Sequence, residues 1–133
     1  IIAGMSNEIE AFLDFNGEYL AGKSTSIIID NIENLKVYCA ILNSKVASFF
    51  VKLNYHSLKM AGGYLNINNE IISSIPYPKI NSNSNKLLQK LVSNILHEKS
   101  KGKDTTTLEQ EIDKLVYLLY DLTDEEIAII DNN

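Results

Sequence analysis

Between Leu42 and Pro78 the chain is punctuated three times, and each mark closes off most of the folds otherwise open to it. Asn43-Ser44 interrupts a helical apolar pattern, as a C-terminal stop followed by a fresh N-cap does. Gly62-Gly63 makes a sharp turn and feeds a strand-like run, Tyr64 to Ile67. Pro76 and Pro78 forbid a helix and force an extended exit. The order and spacing of these marks narrow the field more than composition does.

Upstream of it the pattern is β-like. Ile1-Ile2-Ala3 and Ala11 to Phe15 are short apolar runs, and Asn16-Gly17 is a hairpin signal. Ser26-Ile27-Ile28-Ile29 reads as a strand buried on both faces, so these runs predict a small twisted mixed sheet. From Asn34 the period turns helical, giving two short helices meeting at a kink, with a polar loop from Asn54 to Ala61. Asn69 is placed to cap a single turn through Ile72.

Asn81-Ser82-Asn83-Ser84-Asn85 has the composition of a linker and divides residues 1–80, an α+β lobe, from a helical tail over 81–133 packed on it. The tail carries two apolar stripes, Leu87 to Leu96 and Leu108 to Leu122, the second with coiled-coil steps. Thr106 with Glu109 and Thr123 with Glu126 fit capping boxes. The fold class is α+β, with a small sheet, two kinked helices, an antiparallel helical hairpin and a short terminal helix.

Reactive groups are sparse. His56 and His97 have no Cys or carboxylate at metal-ligand spacing, and no phosphate-binding glycine loop is present. The single cysteine, Cys39, excludes an internal disulfide and reads as a buried, inert thiol. Carboxylates at Glu109 to Asp113 and at Glu125-Glu126 suit helix N-termini. No apolar run is long enough to span a membrane and no signal peptide is visible, so a cytoplasmic location is expected. The chain opens at Ile1-Ile2 without a methionine and is read as a fragment of a longer protein.

Charge bears on the partner. All twelve cations are lysines, against seventeen carboxylates. The first 79 residues are nearly neutral, with six lysines and seven carboxylates, and the remainder is acidic, with six and ten. The N-terminal part therefore permits a local cationic surface, which phosphate binding demands.

Taken in order, Leu42-Asn43-Ser44-Lys45, Gly62-Gly63-Tyr64-Leu65 and Ile75-Pro76-Tyr77-Pro78 resemble the signatures of the C-terminal specificity domain of TaqI-like DNA methyltransferases and type IIG restriction enzymes. The tail is similar too, from Leu108-Glu109-Gln110-Glu111-Ile112-Asp113 through Tyr120-Asp121-Leu122-Thr123 to Glu125-Glu126-Ile127. One departure is Asn66, where the family often has arginine; Asn can read a base edge or contact phosphate without charge. The resemblance implies a non-catalytic target-recognition module for double-stranded DNA, with no cofactor of its own. S-adenosylmethionine, and Mg2+ for any nuclease step, would belong to upstream domains of the parent, which would do the methylation or cleavage.

On that reading two polar loops reach the DNA: Lys23, Ser24 and Thr25 in one, Asn54, Tyr55, His56, Ser57 and Lys59 in the other, with Asn66 beside them. The alternative is a helical protein-interaction module that packs on an upstream methyltransferase domain, on a partner subunit or on a second copy through the hairpin, with no DNA affinity. A free-standing small enzyme would need catalytic groups that the chain does not display.

Overall fold

The computed structural model describes residues 1–56, 59–60 and 62–133. Over these residues the class is α+β, with six helices and two short antiparallel ladders. In chain order the elements are β1 (Ile2–Ala3), β2 (Met5–Ser6), β3 (Thr25–Ser26), α1 (Ile32–Leu42), α2 (Lys45–Tyr55), β4 (Leu65–Asn66), α3 (Asn69–Ser74), α4 (Ser82–Ser100), α5 (Thr106–Leu119) and α6 (Asp124–Asp131).

The kink between α1 and α2 falls at Asn43-Ser44. Asn43 caps α1, and Ser44 caps α2 by accepting the Ala47 N–H while its hydroxyl donates to Ile41 O at 2.6 Å. The two helices form a wall with a core on each side. One core joins Val37 and Ile41 of α1, Leu88 and Val92 of α4, Ile112 and Val116 of α5, and Ile130 of α6. The other joins Ala47 and Val51 of α2 to Ile2, Leu65, Ile67 and Ile71. Residues on both sides of Asn81 thus share one core.

The β part differs from expectation. Instead of one mixed sheet, β1 pairs with β3 (Ile2↔Ser26, Ala3↔Thr25) and β2 pairs with β4 (Met5↔Asn66, Ser6↔Leu65). Ala11 contributes only an isolated bridge to Ile2. The Ile27-Ile28-Ile29 strand does not form: Ile27 and Ile29 are 54% and 86% exposed. Asn16-Gly17 does not close a hairpin either, because the Asp14 carboxylate gathers the Glu18 and Tyr19 N–H groups at 3.0 and 3.1 Å and curls the chain into a side-chain-held loop.

Three further boundaries move for reasons of capping. Asn81 to Asn85 is no linker: Asn81 accepts the Ser84 N–H and opens α4, since the Asn and Ser that mark linkers are also the best caps. Asn68, not Asn69, caps α3. At α5 the cap position is Thr105, whose hydroxyl donates to Glu109 at 2.8 Å, while Asp104 takes the Thr106 N–H; the expected Thr106 box is absent. At α6 the Thr123–Glu126 capping box is present in full. Among the described residues, no helix is long and apolar enough to cross a membrane.

Candidate nucleic-acid interface

The three signatures serve as joints. Leu42 enters the second core. Asn43 clasps the Ala11 peptide, accepting its N–H at 2.8 Å and donating to its carbonyl at 2.9 Å. Lys45 ties α2 to the tail twice, its backbone N–H donating to Asp113 Oδ1 at 2.9 Å and its ammonium to Asp131 Oδ1 at 2.8 Å. Gly62 and Gly63 have φ of +96° and +85°, values that glycine alone adopts without strain; the turn closes through Gly63 N–H to Met60 O and Met60 N–H to Tyr64 O. At the prolines, Tyr77 sits edge-on to Tyr38, and Pro76 O accepts the Tyr120 hydroxyl at 2.5 Å.

The first expected loop and Asn66 meet at β1 and β2, on either side of Gly4. Gly4 is the link: its N–H donates to Ser24 O at 2.7 Å and its carbonyl accepts the Ile67 N–H at 2.8 Å. Thr25 lies opposite Ala3 and Asn66 opposite Met5. The bend at Gly4 is all that separates these pairs along the chain. No side chain would fit at Gly4, where a Cβ would stand 2.3 Å from Ser24 O.

Lys23, Ser24, His56, Lys59 and Asn66 are all exposed, and the Lys59 N–H turns back to His56 O. Thr25 is half-buried, with its hydroxyl donated to Gly22 O at 2.8 Å. Asn54 and Tyr55 depart from expectation, because α2 runs through Tyr55 before any loop begins. Asn54 donates to Phe50 O along the helix, and the Tyr55 hydroxyl turns toward α3, donating to Ser74 Oγ at 2.8 Å. Ser57 lies outside the described residues.

The electrostatics separate the cations. Lys45 pairs with Asp131, Lys52 with Glu8, Lys99 with Glu109, and both Lys101 and Lys103 with Glu98. The basic turn at 99–103 is thereby neutralised within the tail. Lys103 holds the Glu98 carboxyl below its ordinary range, and the Thr105 hydroxyl and then Lys99 do the same for Glu109. Burial pushes the Cys39 thiol up. Among the described residues no cluster of three His, Cys, Asp or Glu side chains could hold a metal ion.

No protein-family model, curated protein or solved structure matches the chain, so the likeness to TaqI-like specificity domains rests on the three signatures and the tail.

Proposed function

We propose that the chain is a DNA target-recognition module that grips duplex DNA for an S-adenosylmethionine-dependent methyltransferase or type IIG restriction enzyme acting in the cytoplasm. Methylation or cleavage would be performed by an upstream catalytic domain. The observation that carries this reading is the meeting of the first polar segment with Asn66. Ser24 and Ile67 bond to the same residue, Gly4, so the Lys23-Ser24-Thr25 segment and Asn66 flank the Gly4 bend between β1 and β2. Lysines there would hold phosphates, and Ser24, His56 and Asn66 would be the groups free to reach base edges.

The test is fluorescence anisotropy with a labelled duplex of random sequence, followed by selection from a randomised duplex pool. A weak, salt-dependent Kd of order 10⁻⁴ to 10⁻⁶ M is expected for non-specific binding. Lys23→Gln with Lys59→Gln should weaken it, and Asn66→Ala should relax the selected sequence. Absence of any salt-dependent binding would overturn the reading.

A second reading, protein docking, is favoured by one feature. An apolar groove of about 310 Å³ runs between α2, Ile75-Pro76 and α6, and it leaves Leu53 68% exposed and Ile129 54% exposed. The hairpin stripe itself is largely spent inside the chain, with Ile112 and Val116 buried. Concentration-dependent association abolished by Leu53→Lys, in a chain without DNA affinity, would favour this reading.

A further inference from the structure

A segment that runs into the acidic tail is free of acid. From Ile71 through His97 there is no Asp or Glu, although Lys79, Lys86 and Lys90 fall within it. Most of that segment is α4, which buries Leu88, Leu91 and Val92 against the first core. At 100° per residue, Asn83, Lys86, Lys90, Asn94 and His97 share the opposite face within an arc of about 80°. All five are exposed. The face extends about 21 Å at 1.5 Å per residue.

The lysines of this face take no part in the ion pairs found among the described residues. Five of the twelve lysines lie within 3.8 Å of a carboxylate, and Lys36 sits over the Phe15 ring at 6.0 Å. Among the described residues no carboxylate pairs with Lys86 or Lys90. A polyanion approaching a chain of net charge −5 is repelled wherever carboxylates are dense, and the outer face of α4 from Asn83 to His97 carries none. Two ammonium groups one turn apart, flanked by amide donors that bind phosphate oxygens without charge, suit a backbone of regularly spaced phosphates.

We propose that the outer face of α4, with Lys86 and Lys90 at its centre and Asn83, Asn94 and His97 around them, holds the phosphate backbone of duplex DNA. This rests on the reading of the chain as a DNA-binding module and adds to it a positioning surface that carries no sequence information.

The test is a salt titration of duplex binding between about 50 and 200 mM, with two double variants of equal net charge. K86Q/K90Q should flatten the slope of log K against log salt by about 1.8, or 0.9 for each phosphate no longer neutralised. K99Q/K103Q, which removes two lysines already held by carboxylates, should keep the wild-type slope. K86R/K90R should keep it as well, and far-UV circular dichroism should show all three variants folded. A wild-type slope in K86Q/K90Q, or equal flattening in both glutamine doubles, would overturn the α4 face while leaving DNA binding intact. Failure of the wild-type chain to bind would overturn the underlying DNA reading instead.

Discussion

The backbone N–H of Lys45 donates to the Asp113 carboxylate at 2.9 Å, across 68 residues of chain. With Ser44 accepting the Ala47 N–H, it gives α2 one cap from its own sequence and another from α5. The nearly neutral N-terminal part of the chain and its acidic tail are therefore joined at the first turn of a central helix, where this backbone donor has no partner within the helix.

Removing that remote cap should be measurable. Asp113→Ala is expected to cost about 1 kcal/mol in urea unfolding, and Asp113→Asn, which keeps an acceptor, about 0.5 kcal/mol or less. Burial raises the Asp113 pKa, so asparagine also relieves a carboxylate that is disfavoured in the folded state. Equal stability of Asp113→Ala and wild type would show that the hydrogen bond contributes nothing.

The pH dependence should have two limbs. Asp131 is held below its ordinary value by the Lys45 ammonium and then by the Tyr117 hydroxyl, and Glu98 and Glu109 are lowered too. A carboxyl with a depressed folded pKa stabilises above its unfolded value, so this contribution is lost as pH falls below about 4. Asp113, shifted upward, works in the opposite direction.

At the alkaline end, burial pushes Tyr120 up to about 12 and raises Tyr117 further. A raised folded pKa confers stability that is complete below the unfolded value near 10 and lost as pH climbs through the folded one. Urea midpoints should therefore decline from about pH 10 toward 12. Tyr117→Phe with Tyr120→Phe should make that decline shallower, the remainder coming from Tyr38, Tyr77, Cys39 and Lys45, whose pKa values are also raised. An unchanged decline in the double variant would refute the assignment.

The α2 joint and the α6 capping box are readable because their signals are local. Ser44, Thr123 and Glu126 act within three residues of themselves, so sequence order alone locates them. The ladders are not readable in this way. Each strand is two residues long, and Ser24 meets Gly4 through a backbone bond that no side-chain pattern announces. The candidate loops are legible as polar, but the nearness of Ser24 to Asn66 depends on that non-local bond. Averaging charge over residues 80–133 also conceals the carboxylate-free run within them.

Gly4 offers the sharpest test of that bond. Gly4→Ala would place a Cβ 2.3 Å from Ser24 O, a backbone atom that can move only with its loop. The expected cost is about 1–3 kcal/mol, with altered amide shifts at residues 22–26 and 65–67. Gly22→Ala, whose Cβ would meet nothing within 4 Å, should change stability by at most about 0.5 kcal/mol. Comparable effects at the two glycines would argue against the close approach.

Two apolar substitutions separate the core from the isoleucine triplet that sequence pattern alone places inside it. Leu88 of α4 is fully buried in the core it shares with α1 and α5, so Leu88→Ala should cost about 2–5 kcal/mol through forfeited transfer energy and an unfilled cavity. Ile29 is 86% exposed and follows β3 without joining a ladder, so little of its apolar surface is withdrawn from water. Ile29→Ser should therefore shift the urea midpoint by less than the equivalent of about 0.5 kcal/mol. A cost at Ile29 approaching that at Leu88 would mean that the triplet is covered in solution by structure of its own.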